Sequence, residues 1–299
     1  NVAVGAYTLD ALTSGDSNVA IGYVSGSAVT TGGNNVAVGA NSMQANTEGT
    51  HLIALGKGAL ASSDTETHNL AIGFEALVTA NSGAEYNVAV GNYTLDALTS
   101  GDNNVAIGYN AGTAQTTAGS NVLIGEGAGQ GLTTGGANVI IGKGAARSGN
   151  LTGTLNVYVG GEAGAFNSSG GSNIGIGYAA LDGFDTESNN LAIGVNALGG
   201  AVAGGEFNVG IGNASLVSLT SGDKNTSVGY SSSEDMTTGN DNTAFGHKAG
   251  YQTTTGIRNV FIGSSAGTTN TTGEENISIG YSTTMGGSGE NRSVTIGNE

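Results

Sequence analysis

A five-residue motif in which aliphatic and small residues alternate returns along the whole chain. Its first copy reads Asn-Val-Ala-Val-Gly, from Asn1 to Gly5, and the 299 residues contain eighteen copies. Fourteen of the seventeen intervals between motif glycines are 17 residues long, and three are 18. This period is too short for a pair of helices and suits a solenoid turn with two short strands. The sequence therefore predicts an all-β fold: one parallel β-solenoid of about 18 coils over residues 1–299.

Each coil is numbered from the first residue of its motif, and residues that share a number form a column. Column two is aliphatic in all copies except Thr226 and Thr243, and column four is aliphatic in all copies except Phe245. In a strand, alternate side chains point to opposite faces. We therefore expect columns two and four to face the interior and column three to face outward.

Column three is small in fourteen copies and never charged. An uncharged outward stripe would favour a partner, so we expect three copies to associate through it. In the alternative interpretation, column three meets the second strand of its own coil inside a narrow solenoid. The residues predicted to face the other copies are Ala20, Ala37, Ala71, Ala106, Leu123, Ile140, Tyr158 and Phe261.

The first and fifth positions vary least, which predicts structural roles. Glycine fills position five in all eighteen copies, as expected where the chain has positive φ or passes close to a neighbouring backbone. Asparagine fills position one in sixteen copies, and stacked amides can hydrogen-bond from coil to coil. The predicted structural residues include Gly5, Gly22, Gly39, Gly56, Gly73, Gly91, Gly108, Gly125, Asn1, Asn18, Asn35, Asn69, Asn87 and Asn104.

The second half of the coil carries a weaker pattern. Position eight is alanine, serine or threonine in every copy that reaches it, and leucine often follows, as at Leu9 and Leu60. A polar stretch such as Thr-Thr-Gly comes next. This pattern predicts a second strand and its exit turn.

Composition narrows the range of partners. The chain has 23 acidic and 7 basic residues, a formal net charge of −16, which would repel nucleic acid and anionic membrane surfaces. It has no cysteine, which excludes disulfides and thiolate metal sites, and no run of eighteen apolar residues. We therefore predict neither nucleic-acid binding nor membrane insertion.

Few residues suggest chemistry. No acid, base and nucleophile converge, so we predict that the chain is not an enzyme and uses no cofactor. His51 and His68 share a column on adjacent coils. In a trimer they would supply six imidazoles, which could hold a transition metal or form a pH-sensitive patch, and an exposed turn is the alternative.

Two other polar sets have competing interpretations. Asp16, Asp102 and Asp223 could supply oxygen ligands to calcium or simply cap a bend. Threonines in columns thirteen and fourteen, such as Thr116 and Thr117, form partial ranks like the flat arrays of ice-binding solenoids. Ice binding is thus a minor alternative function.

The motif strings resemble those of known fibrous proteins. Asn104 to Gly112 (NVAIGYNAG) and Asn18 to Gly22 (NVAIG) resemble repeats of bacteriophage tail fibres and of the β-roll heads of trimeric autotransporter adhesins. Ser293 to Glu299 (SVTIGNE) resembles the end of such an array before a chaperone domain. The resemblance implies a left-handed β-roll, a homotrimer and an extracellular location, on a virion tail fibre or a cell surface.

These features predict a structural and host-recognition role. The first hypothesis is a fragment of a longer tail-fibre protein, as shaft or head, that spaces or presents a receptor-binding tip. The alternative is a bacterial adhesin head that binds a host receptor, matrix or glycan directly. Its candidate contacts are Tyr7, Tyr23, Tyr93, Tyr109, Tyr178, Tyr230 and Tyr281.

Overall fold

The computed structural model describes residues 1–80, 83–183, 185–200, 204–285 and 287–297. The chain forms two compact units, Asn1–Thr152 and Gly153–Glu299, and each is a parallel β-solenoid. The prediction of an all-β parallel solenoid with a coil of about 17 residues is confirmed. Handedness, trimeric assembly and a single uninterrupted array over residues 1–299 stay predictions.

Every motif forms one three-residue strand at positions two to four, giving nine strands in each unit. The strands of the first unit are β1 (Val2–Val4), β2 (Val19–Ile21), β3 (Val36–Val38), β4 (Ile53–Leu55), β5 (Leu70–Ile72), β6 (Val88–Val90), β7 (Val105–Ile107), β8 (Val122–Ile124) and β9 (Val139–Ile141). Those of the second are β10 (Val157–Val159), β11 (Ile174–Ile176), β12 (Leu191–Ile193), β13 (Val209–Ile211), β14 (Thr226–Val228), β15 (Thr243–Phe245), β16 (Val260–Ile262), β17 (Ile277–Ile279) and β18 (Val294–Ile296). Within the described ranges there is no helix that could span a bilayer.

Successive strands pair in parallel and in register. Val19 lies opposite Val2 on one side and Val36 on the other, and Val36 lies opposite Ile53. The same register repeats through the second unit, as at Val260 and Ile277. Residues of one column are therefore direct neighbours within each unit.

The predicted sidedness of the strand is wrong. Column three is buried in every strand except β1 and β18, whereas columns two and four are half-buried or exposed throughout. The eight residues predicted to face other copies are at most 3% exposed within one chain, so they cannot contact a partner. They are Ala20, Ala37, Ala71, Ala106, Leu123, Ile140, Tyr158 and Phe261.

The physical reason is that column three packs against column nine inside the coil. A Cβ added to Gly267 would lie 2.1 Å from Phe261 Cδ1, and one added to Gly164 would lie 2.7 Å from Tyr158 Cδ1. Burial also raises the pKa of the Tyr158 hydroxyl, which accepts a hydrogen bond from Asn167 Nδ2. The alternative interpretation was therefore right to place column three inside the coil, although the element that it meets is not a strand.

The second half of the coil is a series of turns, so the predicted second strand is absent from the described coils. In the described coils position seven has positive φ, as does position nine in all but Thr284, with 58° at Tyr7 and 50° at Leu9, which no β-strand allows. The backbone there still bonds from coil to coil, since Leu9 N donates to Ser25 O at 3.2 Å.

The motif asparagines and glycines make contacts of the kind that their predicted structural roles require. Asn18 N donates to Asn1 Oδ1 at 2.8 Å, and Asn18 Nδ2 donates to Gly32 O at 2.8 Å. Equivalent bonds follow the column through each unit, for example at Asn104. Gly5 has φ 135°, and a Cβ there would lie 2.4 Å from Gly22 O. The close approach of successive coils therefore excludes any side chain at position five.

Three coils have 18 residues: 69–86, 138–155 and 190–207, called the longer coils below. In ordinary coils the amide of residue thirteen donates to the carbonyl of residue thirteen in the next coil, as from Thr30 N to Thr47 O at 2.9 Å. In coil 52–68, which precedes the first longer coil, the acceptor is a side chain instead of a backbone carbonyl. Glu66 Oε2 accepts from Asp64 N at 2.7 Å and from Thr65 N at 3.1 Å.

The buried Glu66 carboxylate also reaches the longer coil itself, because Gly83 N donates to Oε1 at 3.0 Å. Glu187 repeats the arrangement with Asp185 N at 2.9 Å and Gly204 N at 2.8 Å. A carboxylate thus replaces a carbonyl in the coil before each of these two longer coils. Coil 121–137, which precedes the longer coil 138–155, has Gly135 at the position that glutamate occupies in the other two cases. Thr133 N still donates to Leu151 O at 3.0 Å, so no side-chain acceptor is needed there.

Candidate interaction surface

The outward side of the strands is an apolar surface, which we call the sheet face and define as columns two and four. In the first unit all eighteen of its side chains are valine, isoleucine or leucine. Ile21, Ile53 and Ile107 are each 39% exposed. Their neighbours along the column are aliphatic too, so the surface is continuous from β1 to β9.

The extent of this surface is unusual for a protein without a partner. Partial exposure of eighteen aliphatic side chains amounts to on the order of 1,000 Å², compared with the few hundred that a monomer ordinarily shows in one patch. Each partner in a stable interface of standard size buries about 800 Å². In the second unit the sheet face includes Thr226 and Thr243 and an exposed Phe245.

Two columns border the sheet face. Column seventeen is the last residue of each coil, which is residue eighteen in the three longer coils, and all seventeen of its members, from Ser17 to Arg292, have positive φ. Its side chains are exposed, apart from a half-buried Glu275. Column six follows each strand and contains the exposed residues Tyr23 and Tyr109. We call these two columns the edges of the sheet face.

The structure brings His51 and His68 together in column seventeen. Their rings stack with centroids 4.9 Å apart, and Tyr86 stacks on His68 at the same distance. Nδ1 of each histidine lies within hydrogen-bond distance of the preceding threonine hydroxyl, at 3.1 Å for Thr50 and 2.9 Å for Thr67. No three His, Asp or Glu side chains in the described part of the chain are grouped to hold a metal ion. The stack is therefore an exposed ring column at one edge.

The tyrosines predicted as contacts lie in columns six and seven. Six of the seven are exposed, and Tyr93 is half-buried between Phe74 and Tyr109, with ring centroids at 5.2 and 6.2 Å. In the second unit Tyr230 stacks on His247 at 5.5 Å. The exposed six are Tyr7, Tyr23, Tyr109, Tyr178, Tyr230 and Tyr281.

Charged residues occupy column seventeen near its end. Arg258 Nη2 lies 2.9 Å from Glu275 Oε1, and Arg292 Nε lies 2.8 Å from Glu275 Oε2. The hydrogen bond from Arg292 holds the pKa of the Glu275 carboxyl below its ordinary value, and Arg258 adds to the effect. The three side chains line a shallow surface pocket with Glu274 and Asn291. Exposed ion pairs of this kind contribute little to stability.

The aspartates and threonines bond to the backbone of neighbouring coils. Asp102 Oδ1 and Asp223 Oδ1 each accept a hydrogen bond at 2.8 Å, from the amides of Glu85 and Glu206 respectively. At Asp16 the acceptor is the backbone carbonyl, bonded to Asn34 N. The carboxylates of Asp102 and Asp223 therefore link successive coils.

The hydroxyls of column thirteen are engaged as well. Thr13 Oγ1 donates to Thr30 O at 2.9 Å, and Thr99 Oγ1 donates to Thr116 O at 3.0 Å. Column fourteen presents exposed threonines, such as Thr31 and Thr117. In the described coils the column-thirteen hydroxyls named above donate to the next coil, so they do not join column fourteen in the two-column array of free hydroxyls that the ice-binding interpretation requires.

The sequence reasoning missed the sheet face because it placed aliphatic columns inside. A usable signal was the compensation of size between columns three and nine. Where column three is large, column nine is glycine or alanine in the same coil. The pairs are Leu123 with Gly129, Ile140 with Ala146, Tyr158 with Gly164 and Phe261 with Gly267.

Comparison with known proteins does not extend these observations. No protein-family model matches the chain, and neither a curated protein nor a solved structure shows significant similarity to it.

Proposed function

We propose that this chain is a structural segment of an extracellular trimeric fibre, in which three copies pack their sheet faces around a common axis. The observation that supports this is the continuous aliphatic surface of columns two and four. In water such a surface favours association, because burying apolar area is the main driving force for it. The motif resemblance to tail fibres favours a shaft or head that spaces or presents a receptor-binding tip.

A second copy of the chain is the partner that fits the sheet face best. The surface repeats at the spacing of parallel strands, about 4.8 Å per coil. A partner with the same repeat can meet it step by step, and another copy has that repeat by definition. Closed cyclic assemblies are the common solution for identical chains. The motif resemblance to trimeric fibre proteins favours three copies around the axis over two.

The mechanical role follows from the contacts between coils. Each coil adds backbone hydrogen bonds and an asparagine side-chain ladder to the next, so the units resist local opening. Association through the sheet face would cover the remaining apolar side. A segment of this kind holds its neighbours at a fixed spacing and needs no chemistry of its own.

The test is the mass of the chain in solution, measured by sedimentation equilibrium. We expect three times the chain mass of 29.0 kDa. The variant Ile21→Lys, Ile53→Lys and Ile107→Lys should dissociate to single copies, because it places three charges in the sheet face.

Matched control substitutions lie in the same three coils but on the exposed column fourteen: Thr31→Lys, Thr65→Lys and Thr117→Lys. This control adds the same charge and should remain trimeric. A monomeric wild-type chain would overturn the proposal. A dimer would keep the sheet face as the interface and overturn the number of copies.

The exposed tyrosines of column six favour a second candidate, an adhesin that binds a glycan directly. Tyr109, Tyr178 and Tyr230 are each more than half exposed, and aromatic faces of this kind suit sugar rings and other flat apolar groups. Binding of the wild-type chain on a glycan array, lost in Tyr178→Ser, would support this candidate. An array without signal would leave the structural role alone.

A further inference from the structure

Coil length and the residue type at one edge vary together. Column seventeen contains three large apolar residues, and each ends one of the three longer coils. They are Tyr86 in coil 69–86, Leu155 in coil 138–155 and Phe207 in coil 190–207. The other fourteen members are polar or charged residues, histidines and one alanine, Ala137. The two features therefore occur together without exception in the chain.

These three side chains stay more than half exposed in a single copy, although Tyr86 stacks on His68. Tyr86 is 53% exposed, Leu155 is 61% exposed and Phe207 is 54% exposed. Their φ angles are 59°, 61° and 58°, a conformation that is unfavourable for bulky residues. Asparagine, which tolerates this conformation, occupies the same column at φ 61°, 59° and 62° in Asn34, Asn103 and Asn189. Neither burial nor backbone preference within one copy accounts for the three large residues.

The opposite edge of the same strands has room for them. Across the strand from each large residue, column six contains Asn92, Gly161 and Asn213 respectively. The strands that carry an exposed tyrosine in column six have polar or charged residues in column seventeen, such as Ser17 opposite Tyr23. No strand has Tyr, Phe, Leu or Val at both edges. The bulk of one edge is thus complementary to that of the other, strand by strand.

Cyclic symmetry would bring the two complementary edges into contact. In a ring of three copies around a common axis, every copy lies at the same height, and the column-seventeen edge of one copy meets the column-six edge of the next. Residues at opposite edges of one strand are then neighbours across the contact between copies. A few large side chains usually supply most of the binding energy of a protein–protein contact.

We propose that Tyr86, Leu155 and Phe207 are the anchor residues between copies, each packing beside Asn92, Gly161 or Asn213 of the neighbouring copy. This inference rests on the trimer proposed above and deepens it. The anchor residues at the ends of the longer coils then contact the neighbouring copy. Between them, the copies associate through the sheet face alone.

The first test replaces each anchor with asparagine, as Tyr86→Asn, Leu155→Asn and Phe207→Asn. Since asparagine is native to this column, each single copy should keep its circular dichroism spectrum. We expect the dissociation constant of the trimer to rise by about tenfold or more for each anchor. The control is Ser120→Asn, Ala137→Asn and Ser172→Asn in the same column, which should leave the constant unchanged.

The second test uses the absence of cysteine from the chain. In the variant Tyr86→Cys with Asn92→Cys, the two thiols lie six residues apart along an extended segment, too far for a disulfide within one copy. Oxidation should therefore link neighbouring copies, and a non-reducing gel should show covalent trimers. Each single-cysteine variant should run as one chain.

The outcomes separate this inference from the proposed function. A trimeric wild type whose asparagine variants dissociate no more than the control would overturn the anchors and keep the fibre trimer. Lack of cross-linking in the double-cysteine variant would overturn the contact between opposite edges. A monomeric wild type would overturn both proposals.

Discussion

Two coils fill the same interior space in opposite ways. In coil 52–68 a small residue on the strand, Ala54, is combined with a large one at position nine, Leu60, and both are fully buried. In coil 259–275 the large residue is on the strand, Phe261, and position nine is Gly267. In these two coils the two columns therefore share the interior space. The residue type in one column limits the other.

The contacts of Phe261 show how close this limit is. A Cβ at Gly267 would lie 2.1 Å from its ring, and one at Gly250 in the preceding coil would lie 2.5 Å from it. The ring is thus packed against bare backbone in its own coil and in the coil before. With Ala54 and Leu60 the same space is filled from the opposite side.

The largest expected loss of stability comes from removing the buried ring of Phe261 from coil 259–275. Phe261→Ala should destabilise the surrounding coils by about 3–5 kcal/mol, because both glycines leave a cavity where the ring was. Hydrogen exchange of the β15, β16 and β17 amides measures this locally, which suits a repeat protein that need not unfold in one step. Amide protection that stays at the wild-type level would mean that the ring does not fill the interior.

A smaller loss of stability is expected from adding a second large side chain to the same space. Gly267→Leu should cost roughly 1–3 kcal/mol, because the new side chain meets the Phe261 ring and both must shift. Backbone strain at φ 65° adds to this loss, although Leu60 adopts a positive φ of 49° at the equivalent position. The same exchange measurement on β16 reports the loss, and a neutral result would contradict a shared interior.

The double variant Phe261→Ala with Gly267→Leu is the matched control for both. It recreates the arrangement of Ala54 and Leu60, so it should recover much of the stability that each single variant loses. We expect a coupling free energy of about 2 kcal/mol between the two positions. Additive losses would show that columns three and nine do not face each other.

This comparison also explains what the sequence could predict. The period, the strand at each motif and the roles of Gly5 and Asn18 depend on local patterns that repeat in every coil, so they were predictable. Sidedness failed because aliphatic columns were assumed to be buried, and apolar residues are also common on surfaces. The size compensation between Phe261 and Gly267 indicated that column three is inside, because residues limit each other's size only where they share the same space.

Other features of the fold could not be predicted from the residue types at single positions. Position seven carries Tyr7, Val24 and Glu75, none of which suggests positive φ, yet all three have it. The conformation is set by hydrogen bonds between coils, which a single coil does not reveal. The role of Glu66 is similar, because a buried carboxylate becomes predictable only when the longer coil after it is aligned with its neighbours.

The smallest effect is expected on the outer side of the strand, where the interior limit does not apply. Val88→Thr in column two should change the stability of a single copy by no more than about 0.5 kcal/mol, because the side chain is only half-buried and Thr226 and Thr243 occupy the same column. The lysine variant of the sheet face provides single copies for hydrogen exchange of β6. A loss as large as that of Phe261→Ala would place column two inside the coil. It would then reverse the sidedness on which the sheet face and the fibre trimer depend.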